Sequence, residues 1–133
     1  MRAPVVLGFL LLATGPLSAQ KIGPTPGPAG ASTATANPYT GNRTAIGEGR
    51  RLFLWYNCAG CHGDHAGGGM GPSLRDSSWI YGGLDAQIFA SISQGRTKGM
   101  PAWGSQLPAG EIWKLVAYIK TLRTSAEPDR PDH

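Results

Sequence analysis

The chain has 133 residues, and its 12 lysines and arginines exceed its 8 aspartates and glutamates by four. So small a surplus gives no case for nucleic-acid binding. The sequence contains only two cysteines and three histidines, so candidates for redox or metal chemistry are few.

The first 19 residues have the pattern of a secretory signal peptide. Arg2 supplies the positive charge, Val5 to Leu17 form an apolar run, and Ala19 offers a small residue at the cleavage point. An uncleaved membrane anchor is the alternative. Residues 20–43 are rich in Pro, Gly, Ala and Thr, and we expect a disordered leader there that does not pack on the domain. Retained on an anchor, this leader would serve as a tether.

Both cysteines lie in the segment Cys58-Ala59-Gly60-Cys61-His62. Cys-x-x-Cys-His is the attachment signature of a c-type haem: two thiols form thioethers with the porphyrin, and the histidine becomes an axial iron ligand. Because the motif uses every cysteine, it predicts one covalent haem c held by Cys58 and Cys61, with His62 on the iron.

Three other readings of these cysteines are weaker. A thioredoxin-like redox pair needs a βαβ context, which the sequence lacks. A zinc site of Cys58, Cys61, His62 and His65 is disfavoured, because adjacent Cys and His side chains point apart. A disulfide between Cys58 and Cys61 would close a very short loop and contribute little.

The folded domain is predicted at residues 44–123, followed by a flexible tail at 124–133. Apolar periodicity predicts helices over 45–57, 85–94 and 109–122, with Thr44 as the first N-cap and Gly95 as a C-cap. No segment indicates a strand. About eighty residues give a marginal core, so we expect the haem to complete it and the haem-free chain to fold poorly.

Low-spin haem iron needs a second axial ligand, for which the sequence offers Met70, Met100, His65 and His133. Met100 follows the second predicted helix, where the chain can reach the other haem face. Met70 lies only eight residues after His62 and should stay on that side. Met100 is therefore the predicted sulfur ligand.

Three blocks resemble a class I c-type cytochrome: Cys58 to Gly63, Gly71-Pro72-Ser73-Leu74 and Gly99-Met100-Pro101. The segments 76–83 and 95–96 further resemble haem domains of cbb-type oxidases and periplasmic dehydrogenase cytochromes. The resemblance implies an all-α cytochrome c fold of three to four helices around one covalent haem. It implies that the Pro72 carbonyl orients His62, that Trp79 and Arg96 contact the haem propionates, and that the terminal helices cross near Gly49, Phe53 and Tyr118.

These observations predict a monomeric, soluble periplasmic electron carrier. It would not be an enzyme, because Met100 would occupy the coordination position on the iron that a substrate needs. Its partners would be redox proteins, such as a periplasmic dehydrogenase or a terminal oxidase, and neither nucleic acid nor, after signal cleavage, a membrane. The alternative is a haem subunit: the electron acceptor of a periplasmic dehydrogenase or an accessory subunit of an oxidase. A gas-binding or peroxidatic haem with Met100 unbound is the third possibility.

Overall fold

The computed structural model describes residues 35–122, and this part of the chain is all-α, as predicted. Its helices are α1 (Arg43–Trp55), α2 (Cys58–His62), α3 (Asp85–Gln94) and α4 (Ala109–Thr121). Within residues 35–122, no helix combines the length and apolarity needed to cross a bilayer. The predicted signal peptide, most of the leader, the tail and His133 lie outside the described residues.

The two longest helices, α1 and α4, cross in close contact. A Cβ at Gly49 would lie 2.0 Å from the Lys114 carbonyl oxygen, so only glycine lets the two backbones approach this far. Phe53 of α1 and Tyr118 of α4 pack edge to face, with ring centroids 5.6 Å apart, and both are almost fully buried. The crossing near Gly49, Phe53 and Tyr118 is therefore present in the structure.

A three-membered ionic cluster borders this crossing. The Lys114 ammonium lies 2.8 Å from a carboxylate oxygen of Glu48 on α1 and 2.8 Å from one of Glu111 in its own helix. The pKa of Lys114 is raised by its bonds to Glu111 and Glu48, and the pKa of Glu48 is lowered by its bond to Lys114. Glu48 and Lys114 therefore each favour the charged form of the other.

Helix α3 packs on α4 through its apolar face. Ile88, Phe89 and Ile92 recur at helical spacing and are buried. The Phe89 ring lies 4.5 Å from that of Trp113, centroid to centroid. The helix ends at Gln94 with Gly95 as its C-cap, as the sequence predicts.

The segment before residue 44, expected not to pack on the domain, does so in part. Helix α1 begins at Arg43, and its N-cap is Asn42, whose side chain accepts from the Ala45 amide at 3.1 Å; Thr44 lies inside the first turn. Residues 35–42 also pack on the domain. Asn37 is buried, and its side-chain amide donates to the Trp113 carbonyl at 2.9 Å. Low apolar content concealed this contact because a polar side chain makes it.

The helix predicted to run through Asn57 ends two residues earlier, at Trp55. Asn57 adopts the left-handed conformation, with φ at 55° and ψ at 31°. Asparagine tolerates this region better than most residues. The chain therefore breaks before Cys58, and the cysteine motif forms a separate short helix, α2.

Candidate functional site

Helix α2 carries the two cysteines and the histidine of the motif on little more than one turn. Cys58 is half-buried and Cys61 is exposed. Burial raises the pKa of the unmodified Cys58 thiol to about 11.

The long loop from residue 63 to residue 84 folds back onto α2. The Gly68 amide donates to the His62 carbonyl at 2.7 Å, and the Gly71 amide donates to the Cys61 carbonyl at 2.9 Å. These bonds satisfy carbonyls that the end of a helix leaves unpaired. The Leu74 amide donates to the carbonyl of buried Ala66 at 2.9 Å, which closes the turn. The loop is thus fixed against the motif by its own backbone.

The result is a fixed orientation for the His62 imidazole. Its Nδ1 lies 2.8 Å from the Pro72 carbonyl oxygen. A carbonyl can only accept, so Nδ1 carries the proton and Nε2 keeps the lone pair that a metal requires. A Cβ at Gly71 would lie 2.9 Å from the ring, so glycine is needed beside it. The hydrogen bond expected of Pro72 is present; its role in iron ligation stays a prediction.

Met100 lies in a second loop that is tied to α3. The Arg96 amide donates to the Met100 carbonyl at 2.9 Å, forming the isolated bridge. Three residues on, the Trp103 amide donates to the Ile92 carbonyl at 3.0 Å. Met100 is half-buried against the core, whereas the side chain of Met70 is 86% exposed. The two methionines thus differ in burial: Met100 is partly covered, as expected of a ligand, and Met70 is exposed, as expected of a surface residue.

One set of partly buried apolar side chains connects these blocks, and we call it the core rim. Its members pack against the core and stay partly exposed to solvent: Tyr39, Leu52, Tyr56, Cys58, Leu74, Trp79, Met100 and Trp103. Tyr56 and Trp103 meet edge to face, with centroids 5.6 Å apart. The rim therefore brings a motif cysteine, the candidate sulfur ligand and Trp79 to the margin of one core.

Arg96 is half-buried and carries an unsatisfied group. Its Nε is buried and has no hydrogen-bond partner within the described part of the chain. A buried unpaired donor costs about 1–3 kcal/mol, and more when it is charged. A carboxylate is the acceptor that suits a guanidinium best. Two thiols, an imidazole nitrogen and a thioether are the donors that a covalent haem requires, and a guanidinium is a suitable partner for its propionates.

The zinc site and the disulfide, two alternatives for this motif, are not formed in the described part of the chain. Among residues 35–122, no three His, Cys, Asp or Glu side chains are grouped to hold a metal ion. The suggested zinc set of Cys58, Cys61, His62 and His65 is therefore not brought together. Cys58 and Cys61 are not joined as a disulfide.

Some contacts around the site were not predicted from the sequence. Tyr81 lies beneath the Arg96 guanidinium, 4.6 Å from its carbon to the ring centroid, and Ser91 accepts from the same group at 2.7 Å. Ser91 lies in the last turns of α3 and Arg96 lies just beyond its C-cap, five residues later, so helical spacing does not predict their contact. Tyr81 lies 15 residues before Arg96, and no local sequence pattern indicates that the two side chains meet.

The family described as "Cytochrome C oxidase, cbb3-type, subunit III" matches residues 44–119. The FixP subunit of a cbb3-type cytochrome c oxidase from Bradyrhizobium diazoefficiens is 40% identical over 78 residues, which is 56% of this chain and 27% of that subunit. Cytochrome c-L from Methylorubrum extorquens is 33% identical over 95 residues, 70% of this chain and 48% of that protein. The chain thus spans about a quarter to a half of these relatives.

Solved structures give the same result for the fold. Cytochrome CL from Methylophaga aminisulfidivorans superposes with a TM-score of 0.61 at 33% identity, covering 65% of this chain and 60% of that one. Cytochrome cL from Hyphomicrobium denitrificans has a TM-score of 0.59 at 33% identity, covering 62% and 50% of the two chains. The four-helix arrangement is therefore that of c-type cytochromes.

Proposed function

Because the chain belongs to the cbb3-type cytochrome c oxidase subunit III family, a family of c-type cytochromes, we propose that it carries single electrons on one covalent haem c. The observation that carries this proposal is the 2.8 Å contact between His62 Nδ1 and the Pro72 carbonyl. It leaves Nε2 of His62 as the free nitrogen donor, four residues after one thiol and one after the other. A haem attached there supplies one-electron iron redox chemistry.

In this proposal each site residue has a separate task. Cys58 and Cys61 hold the cofactor through thioether bonds, and two cysteines suffice for one haem. His62 and Met100 would supply a nitrogen and a sulfur donor to the iron, and Pro72 would keep the imidazole in place. A haem held by both donors would supply electron transfer and would leave no position for a substrate.

The core rim supports the presence of a large apolar group. Trp79 and Met100 are only partly covered by protein, and Ile80, which follows Trp79, is 70% exposed. A porphyrin lying against the rim would remove such surface from water, at about 25 cal/mol per Å². The cofactor thereby becomes part of the core of a small domain.

The sulfur ligand is tested by a matched pair of methionine variants. Ferric protein should show the weak near-infrared band of iron-bound methionine sulfur. Met100→Ala should abolish the band, admit external ligands and lower the reduction potential, because the thioether that favours ferrous iron is gone. Met70→Ala should change none of these. The reverse pattern would show that Met70 is the ligand.

We place the protein in the periplasm. Support comes from the charge at Arg2, the apolar run from Val5 to Leu17 and the attachment of c-type haem outside the cytoplasm. In the proposed mature form the chain begins at or near Gln20. Mass spectrometry of the N-terminus tests cleavage, and retention of Met1 with membrane association would instead support the anchored form.

A second function follows from the relatives. FixP is named as an oxidase subunit, and its 40% identity over 78 residues favours a haem subunit of an oxidoreductase complex as the alternative to a free carrier. The electron-accepting subunit of a periplasmic dehydrogenase is the other form of this alternative. Size-exclusion chromatography of native extract, read at the haem absorbance, separates the two: a monomer supports the carrier, and a stable large complex supports the subunit.

A further inference from the structure

Arg96 is fixed to its surroundings at four points. One terminal nitrogen donates to the Gly95 carbonyl at 3.1 Å, and the other donates to the Ser91 hydroxyl at 2.7 Å. The guanidinium carbon lies 4.6 Å from the centroid of the Tyr81 ring. The backbone amide donates to the Met100 carbonyl at 2.9 Å. The side chain is thus held by Gly95 and Ser91 at the end of α3 and by Tyr81 in the preceding loop, and the backbone by Met100.

Ser91 is oriented to act as an acceptor. Its hydroxyl donates to the Gln87 carbonyl at 3.0 Å, one turn earlier in α3. A serine has one proton to give, so the bond to Gln87 leaves the oxygen lone pairs for Arg96. The 2.7 Å bond from Arg96 is short, as expected for a charged donor. Helix α3 therefore sets the position of one edge of the guanidinium.

Tyr81 supports the same group from its ring face. The ring attracts the cation, and 4.6 Å is within the distance at which this attraction acts. Tyr81 belongs to the loop that precedes α3, so the contact also holds that loop to the segment containing Met100. The two supports leave Nε as the one guanidinium nitrogen that is buried and unpartnered within residues 35–122.

From this geometry we propose that Ser91 and Tyr81 are positioning residues for Arg96, holding its charge beside the haem so that it raises the reduction potential. The inference rests on the proposed function and adds to it how the potential is set. Oxidation leaves one more positive charge on the iron, and a fixed cation in a medium of low dielectric disfavours that state. Because the charge acts through space, the potential should change while His62 and Met100 remain the proposed iron ligands.

The test compares matched variants of the haem-loaded protein. Ser91→Ala removes the acceptor, and Ser91→Thr keeps it. Tyr81→Leu removes the ring, and Tyr81→Phe keeps it. We measure the midpoint potential by redox titration and record the near-infrared sulfur band in each variant. Ser91→Ala and Tyr81→Leu should lower the potential with the band intact, by less than Arg96→Gln does, and the two conservative variants should match the wild type.

Two results would overturn the inference. Unchanged potentials in Ser91→Ala and Tyr81→Leu would show that neither residue positions the charge. A lowered potential with a lost sulfur band would show that they act through Met100. The proposed function is tested first and separately, by the mass of haem on the peptide containing Cys58 and Cys61. A wild-type protein without that mass refutes the function itself.

Discussion

The crossing of α1 and α4 and the core rim are stabilised in different ways. At the crossing, protein covers protein: Phe53, Val116 and Tyr118 are each no more than 2% exposed. At the rim, Cys58, Trp79 and Met100 pack against the core but are only partly buried. The contrast teaches that protein side chains cover the contact between the two helices, whereas the loops that carry the proposed ligands would need the cofactor to complete their packing.

The largest expected effect comes from removing the cofactor. Cys58→Ser combined with Cys61→Ser should leave little covalent haem and a weakly helical, protease-sensitive chain, because the rim loses the group that covers it. The loss should amount to most of the ~5–15 kcal/mol that stabilises an ordinary domain. Circular dichroism, haem absorbance and limited proteolysis measure this, with Met70→Ser as the exposed control. A cooperative thermal transition of haem-free protein would show that the crossing suffices alone.

A substitution at the crossing should have the next largest effect. Gly49→Ala places a methyl group 2.0 Å from the Lys114 carbonyl oxygen, and backbone cannot easily give way. We expect a loss of about 3 kcal/mol, the upper end of overpacking costs. Gly47, in the same helix, has open space around its Cα, and Gly47→Ala should stabilise by up to about 1 kcal/mol. Denaturant unfolding of both loaded variants measures the difference; equal stabilities would contradict the close approach.

A substitution in the segment before α1 should have an intermediate effect on stability. Asn37→Ala removes the bond to the buried Trp113 carbonyl and the bond by which its side chain accepts from Tyr39 at 2.9 Å. We expect the free energy of unfolding to fall by about 2 kcal/mol, because two hydrogen bonds worth roughly 1 kcal/mol each are lost. Exposed Thr35→Ala is the control.

Truncation tests the same segment. A chain starting at residue 35 should unfold at the same denaturant concentration as the full chain, and one starting at residue 43 should unfold at a lower concentration. Equal midpoints would show that residues 35–42 do not contribute to stability.

The smallest effect should come from the ionic cluster. Because Lys114 lowers the pKa of Glu48 below its ordinary 4.5, this pair stabilises the fold above that pH and loses its contribution as pH falls through the lowered pKa. Glu48→Gln should therefore lower the melting temperature slightly near pH 7 and flatten its fall on acidification. Asp64→Asn, on the exposed loop, should keep the wild-type acid response. A Glu48→Gln curve parallel to wild type would show that the pair contributes nothing.

The sequence by itself determined the chemistry and the helices. Cysteine spacing, histidine position and apolar periodicity are local features, so the haem motif, α3 and α4 follow from residues close together in the chain. Class I cytochrome blocks pointed to Pro72 and Met100 before any geometry was known. The end of α1 could not be predicted as easily, because Asn57 breaks the helix through a left-handed conformation that many asparagines do not adopt.

Only the tertiary structure decided how separate segments meet. Nothing local shows that Asn37 reaches Trp113, 76 residues away, or that Tyr81 supports Arg96. The structure also separated Met70 from Met100, since exposure depends on neighbours contributed by other elements. Polar contacts of this kind have no periodicity, and each becomes favourable only when folding has already brought its partners together and excluded water around them.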